Sequence, residues 1–290
     1  MLACAELSRV KKRIADFQLG PVDLTIEPGT ITTLAGNNGS GKSTLLKLIM
    51  DLATSDSGHI NILGTPADTN DESWKSNVAY LPQTSVGYNP YTGQDLKKII
   101  APLYPDWDDN LFADIVDNFH LPLHKKYGKL SPGVQQKLRL ALTIPRNSPL
   151  MILDEPTSFL DIPSKQLLMD LLTDWMDQGE RAIVIASHQA ADMMKLADYL
   201  YVLQDGNHMG TFEKEELLQR YRKYWLASEL PETRAPGEIA RENQQIISNH
   251  PEQTESFFHE HHLTATFQTA LELEEILTLL LQEQNVSRLP

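Results

Sequence analysis

The chain has 290 residues, a hydrophobic share of 41% and a charged share of 22%. That is enough to bury a sizeable core, and it excludes a wholly disordered or fibrous chain. Cys4 is the single cysteine, which excludes an internal disulfide framework and fits a reducing compartment. Net charge is −14, from 25 basic and 39 acidic residues. Nucleic acid is therefore not expected as a partner, because binding phosphate backbones needs a dense basic surface. The segment from Pro231 to Pro290 holds ten Glu, three Arg and no Lys, half of the excess charge, and reads as a solvated acidic surface. The longest apolar runs are far short of the ~20 residues that a spanning helix needs. The basic cluster Lys11-Lys12-Arg13 follows the N-terminal stretch, the wrong order for a secretory signal.

In chain order, residues 22 to 35 read as two strands broken by Glu27-Pro28-Gly29. The second feeds a glycine-rich loop. Apolar residues at Leu45, Leu46, Ile49 and Leu52 then predict a helix over 42 to 52. Strands are expected at 58 to 64 and 77 to 81. A Pro/Tyr/Asp-rich stretch with helical patches runs from about 87 to 129, and a helix begins near Ser131. The apolar strand 150 to 153, a helix over 164 to 178, the strand 182 to 186, a short helix and the strand 200 to 203 follow. Strands alternating with helices at this spacing predict an α/β domain around a mostly parallel sheet. Beyond about 210 the alternation fades. Residues 231 to 262 read as polar, and 270 to 282 as a final helix.

Gly36-Asn37-Asn38-Gly39-Ser40-Gly41-Lys42-Ser43 matches the P-loop pattern, with the required strand before it and helix after it. Its glycines let backbone N–H groups turn inward on phosphate oxygens, and the helix N-terminus adds positive potential. Lys42 is the residue to reach the β- and γ-phosphates, and Ser43, followed by Thr44, the one to ligate Mg²⁺. The strand 150 to 153 ends in Asp154 and Glu155. Buried carboxylates are costly unless they bind something. Asp154 is assigned to Mg²⁺, and Glu155 to orienting or deprotonating the attacking water. His188 follows the strand 182 to 186, where it would reach the γ-phosphate.

Read in order, these features resemble the nucleotide-binding subunit of ATP-binding cassette transporters. The residues that carry the likeness are the P-loop; Gln83 in Tyr80-Leu81-Pro82-Gln83; Leu130-Ser131-Pro132-Gly133-Val134-Gln135-Gln136; Asp154-Glu155-Pro156-Thr157; Ser158-Phe159-Leu160-Asp161; and Ser187-His188. The resemblance covers about residues 1 to 212. It implies a P-loop nucleotide-binding domain with an antiparallel β subdomain and a helical subdomain at about 88 to 140. Residues 213 to 290 would be a small accessory extension. It further implies ATP and Mg²⁺ as ligands, contact of Gln83 with Mg²⁺ and water, and a nucleotide-facing Asp161. Ser131 and Gly133 would complete the ATP site of a second subunit packed head to tail. A separate transmembrane permease and a place on the cytoplasmic face of the membrane complete the implied picture.

The sequence departs from the family at its signature, where Pro132 replaces a glycine and Val134 a glutamine. Pro132 removes one N–H donor while Ser131 and Gly133 remain, so weakened turnover is compatible with the change and loss of activity is not required. The family stacks adenine on an aromatic residue ahead of the P-loop. Phe17 has that position, and a core phenylalanine is the competing reading. Tyr104-Pro105-Asp106-Trp107-Asp108 with Phe119-His120-Leu121-Pro122-Leu123 is similar to the bacterial Ytr-like group, which implies export of an antibiotic or peptide. Tyr88, Tyr91, Tyr104 and Trp107 read either as anchors for the permease or as core. A soluble cassette ATPase without a transporter and a nucleotide-dependent regulator are the alternative functions. His259-Glu260-His261-His262 reads as a solvated turn rather than a metal site.

Overall fold

The computed structural model describes residues 2–69, 71–187 and 195–286. The chain divides into two compact units, Met1–Thr211 and Phe212–Pro290.

The first unit is built on a six-stranded sheet of order β10-β9-β3-β8-β7-β6. Its inner strands β3 (Ile31–Ala35), β7 (Leu150–Asp154) and β8 (Ala182–Ala186) are buried at every residue. They pair in parallel, with Thr33 opposite Ile185 and Ile152 opposite Val184, and β6 (Val78–Leu81) joins β7 in the same sense. β9 (Tyr199–Gln204) pairs in parallel with β3, and β10 (Asn207–Glu213) is the edge. A strand's side chains alternate between faces, so a strand covered on both sides must be apolar throughout. Here Leu150 and Ile152 enter one core with Leu45, Leu46 and Ile49, while Met151 and Leu153 enter another with Leu138, Leu168 and Trp175.

The first core also carries an antiparallel sheet formed by β1 (Ala5–Ile14), β2 (Phe17–Ile26), β4 (Ser57–Ile62) and β5 (Thr65–Pro66), in the order β2-β1-β4-β5. α1 (Lys42–Ile49) packs on that first core, and the second core lies under the helices that follow it. α2 (Gly93–Ile100) starts at a capping box between Thr92 and Asp95, and α3 (Asp109–Asn118) at Asp108. α4 (Pro132–Ala141) starts at Ser131 with proline in its first turn, and α5 (Ile162–Met176) at Asp161.

The second unit is a four-stranded antiparallel sheet of order β12-β13-β11-β14, from Arg222–Leu226 (β11), Glu238–Glu242 (β12), Gln245–Ser248 (β13) and Ala265–Ala270 (β14). Its core holds Tyr224, Leu226, Ile246, Phe257 and Phe258, with Tyr224 edge-on to Phe258 at 5.2 Å. Helices Lys214–Arg220 (α6), Pro251–Glu260 (α7) and Leu273–Val286 (α8) complete it. Among the described residues no helix is long and apolar enough to cross a membrane.

Two expectations change, and others are narrowed. The helix expected over 42 to 52 stops at Ile49, because Asp51 adopts the left-handed region at φ 51° and Leu52 is exposed. The polar stretch 231 to 262 contains two strands and a helix. His259 and Glu260 close that helix, while His261 and His262 form the expected exposed turn, with the His261 ring 4.1 Å from Phe257. Tyr88, Tyr104 and Trp107 pack on the second core, so the core reading holds for these three; Tyr91 alone of the four is exposed. The short helix expected after 186 falls on residues 188 to 194, outside the described residues.

Candidate nucleotide site

The P-loop follows from the end of β3. Gly36 has φ 148° and Gly41 φ 109°, backbone that side chains rarely adopt. A Cβ on Gly36 would lie 2.1 Å from the Leu203 carbonyl oxygen, so only glycine lets the loop pass this close to β9. A turn from Ser40 N–H to the Asn37 carbonyl (3.1 Å) closes the loop. Buried Lys42 donates from Nζ to the carbonyls of Gly36 (2.7 Å) and Asn37 (3.0 Å), which holds its charge within the loop. Burial lowers the Lys42 pKa, and the nearby carboxylates of Glu155 and Asp154 oppose that shift.

A cavity of about 470 Å³ opens on this loop. Asn38, Gly39, Gly41, Lys42, Ser43 and Thr44 line it together with Gln83, Glu155, Phe17 and Ile14. Residues far apart in sequence thus meet where the motif reading expects a nucleotide. Ile14 had no signal in the sequence beyond being apolar. The Phe17 ring rests beside the loop, since a Cβ on Gly41 would meet its Cζ at 3.1 Å.

β7 delivers the two acids. Asp154 is 2% exposed and accepts a hydrogen bond from Ser43 Oγ at 3.2 Å. Glu155 is 6% exposed with φ 54°, and its N–H donates to the Ala186 carbonyl (2.8 Å). A non-glycine residue held left-handed at the end of a buried strand is strained, and that strain turns its side chain out of the strand's alternation. Burial raises the Asp154 pKa above its ordinary value; the Ser43 hydroxyl opposes this, and Glu155 adds to it. The folded chain therefore holds that proton more tightly than the unfolded chain, and stability is lost as pH rises above the ordinary carboxylate range. Asp154→Asn should melt at a higher temperature than wild type at pH 7 without ligand, with the gain narrowing as pH falls toward that range. A thermal melt series across pH checks this.

Other expected site residues lie outside this cavity. Ser131 is exposed and caps α4, accepting from the Val134 N–H at 3.4 Å. Gly133 passes so close to the 158–161 turn that a Cβ there would lie 2.8 Å from the Phe159 carbonyl oxygen. Asp161 caps α5 through the Ser164 N–H (2.9 Å) and pairs with Lys137 at 3.3 Å. Hydrogen bonds from Ser164 and Lys137 hold its carboxyl down at about 2. Ser187 is buried, and His188 lies outside the described residues.

Arg139, absent from the motif reading, and Gln136, quoted there without a role, hold the backbone behind the cavity. Arg139 Nη1 donates to the carbonyls of Pro82 (2.9 Å) and Gln83 (2.8 Å), and Nη2 to Gln136 Oε1. Gln136 Nε2 donates to the carbonyls of Pro156 (2.7 Å) and Glu155 (3.3 Å). A positive charge on a helix usually signals a solvated face, so nothing in the sequence marks Arg139 as buried.

The family described as ABC transporter matches residues 19–158. The chain is 32% identical over 223 residues to the ABC transporter ATP-binding protein YtrB of Bacillus subtilis (strain 168), covering 77% of this chain and 76% of that protein. It is 30% identical to the ribose import ATP-binding protein RbsA 2 of Escherichia coli O157:H7, covering 73% of this chain but only 44% of that protein. In fold it is similar to the ATP-binding subunit of an ABC transporter, with a TM-score of 0.68, 23% identity and coverage of 74% of this chain and 92% of that one. It is also similar to a dimeric post-hydrolysis state of the cassette MJ0796 bound to ADP and Pi, with a TM-score of 0.64, 21% identity and coverage of 72% and 98%. With this fold and these motifs, the chain belongs to the ABC transporter family as an ATP-binding subunit that hydrolyses ATP.

Proposed function

We propose that the chain hydrolyses ATP at a head-to-tail interface between two nucleotide-binding subunits and so drives a separate transmembrane permease. The observation that carries this reading is the meeting of the P-loop, Gln83, Glu155 and Phe17 around one cavity, with Asp154 bound to Ser43 beside it. Residues 1 to 212 act as the nucleotide-binding domain and 213 to 290 as an accessory extension.

The donors fit Mg²⁺: a serine hydroxyl already hydrogen-bonded to a buried carboxylate, with Gln83 lining the same cavity, offers hard oxygen ligands. Ser43, Asp154 and Gln83 would hold the ion, which when bound offsets charge on the β- and γ-phosphates. Lys42 adds a cation held in place by two carbonyls, so little reorganisation is needed when charge develops. Glu155 accepts a proton from, or orients, the attacking water. His188 is assigned to the γ-phosphate. Ser131, Gly133 and Asp161 act on the partner's nucleotide, because they lie outside their own chain's cavity and Ser131 presents an exposed hydroxyl at a helix N-terminus.

The subunit works at the cytoplasmic face of the membrane, and export of an antibiotic or peptide is the assigned transport reaction, on the Ytr-like residues from Tyr104 to Leu123. Phe17 stacks on adenine. Removing a stacking ring forfeits ~1–3 kcal/mol per base. Phe17→Ala should therefore weaken ATP binding about tenfold with kcat for bound nucleotide nearly unchanged. Titration with a fluorescent ATP analogue beside a steady-state ATPase assay checks this. Full affinity in the variant would return Phe17 to the core.

A further inference from the structure

We infer that Arg139 is a positioning residue for hydrolysis, tying the loop that bears Gln83 to the same helix that ties down the turn bearing Glu155. The inference rests on the roles proposed above for Gln83 and Glu155.

The hydrogen bonds form one chain. The carbonyls of Pro82 and Gln83 both accept from Arg139 Nη1. Arg139 Nη2 takes up the oxygen of the Gln136 amide. That fixes the amide's orientation and leaves Nε2 to donate to the carbonyls of Pro156 and Glu155. The chain thus joins the backbone of two residues that line the cavity, Gln83 and Glu155, while neither Arg139 nor Gln136 lines it. A second arginine, Arg146, extends the grip on the same segment. It donates to the Tyr80 carbonyl at 3.2 Å and to the Tyr104 hydroxyl at 2.8 Å.

As mere packing, this arrangement is a poor choice. Arg139 is 8% exposed and Gln136 wholly buried, and the hydrogen-bond partners of Arg139 are all neutral. A buried cation without a paired acid is costly, and apolar residues of similar volume fill such a space more cheaply. What the guanidinium supplies is a rigid planar fork that meets two carbonyls and an amide at once, which a lysine's single ammonium does not reproduce. The fork is carried on α4, whose N-terminus bears Ser131 and Gly133. A tilt of α4 would therefore carry the Gln83 loop and the Glu155 turn together, so that the in-trans residues and the in-cis residues move as one.

The test uses the full chain and the variants Arg139→Lys, Arg139→Met, Gln83→Ala and the double variant Arg139→Met/Gln83→Ala. Arg139→Met should lower kcat about tenfold or more, while ATP affinity stays within about threefold because the P-loop and Phe17 are untouched. Arg139→Lys should fall between Arg139→Met and wild type. The double variant should be no slower than the slower single one, since Arg139 acts through Gln83. A wild-type kcat in Arg139→Met, or a double variant showing the product of the two single losses, would overturn the inference. Hydrogen exchange gives a readout that needs no turnover. Amides across 83 to 87 should exchange faster in Arg139→Lys than in wild type, with β3 and β8 unchanged; unchanged exchange there would also overturn it. If Arg139→Met does not fold, Arg139→Lys carries both measurements. A wild type without ATPase activity, or Glu155→Gln at wild-type rate, would instead sink the catalytic roles and leave the exchange result to judge Arg139 by itself.

Discussion

Glu155→Gln should bind ATP, lose ~10²–10⁴ in turnover and accumulate as an ATP-dependent dimer. The amide keeps the shape of the carboxylate, and the backbone at φ 54° with its bond to Ala186 asks nothing of the side chain's charge. On the proposed mechanism, what is lost is the group that accepts or orients a proton of the attacking water. Lys42, Ser43 and Phe17 are unchanged, so affinity should stay within a few-fold. In the proposed head-to-tail pair, a bound but uncleaved nucleotide would hold the partner's Ser131 and Gly133 in place. Size-exclusion chromatography with light scattering reads the mass, which should double from 32.7 kDa on adding Mg-ATP. A monomer with ATP demonstrably bound would mean that the signature bearing Pro132 does not close a symmetric site, and would point to a different partner cassette.

Gly36→Ala should abolish ATP binding and lower the melting temperature by about 5–20 °C. Two costs combine at this position. A side chain at φ 148° is strained, at about 1–3 kcal/mol. Its Cβ would also lie 2.1 Å from a backbone oxygen of β9, and relieving such an overlap costs about 1–3 kcal/mol more. The relief must come from moving the loop away from Leu203, which displaces the two carbonyls that seat the Lys42 ammonium. The contrasting substitution is Gly39→Ala. A Cβ there meets nothing within 4 Å, so only its φ of 82° opposes the change. Thermal melts and ATP titrations should place Gly36→Ala well below Gly39→Ala in both respects.

The inner strands of the parallel sheet were legible because they are short, continuous apolar runs, and Ala182–Ala186 coincides with its expected bounds. The P-loop, Asp154 and Glu155 were legible for a related reason: glycines that let backbone reach phosphate, and acids that end a buried strand, contradict their surroundings unless a ligand explains them. β1 was not legible. Its apolar residues Ala5, Leu7 and Val10 fall out of alternation at Arg9, which has φ 50° where the register with β2 shifts. The second unit's sheet was hidden by polarity. β14 reads Ala-Thr-Phe-Gln-Thr-Ala and is exposed at every residue, so it carries no periodic signal. Arg139 was hidden by the opposite fault, a charged residue whose partners are backbone carbonyls distant in sequence.

The separation of Ser131 and Gly133 from the cavity that holds Lys42 and Glu155 also bears on inheritance. In the head-to-tail arrangement a working site draws half its parts from each of two polypeptides. A copy defective only in its P-loop and a copy defective only in its signature would therefore complement one another, each mixed pair keeping one sound site. After gene duplication, selection on such a pair would guard one P-loop and the opposite signature while leaving the other halves free to drift. Pro132 and Val134 stand in the half that such drift would reach first in a paralogue paired with an intact signature.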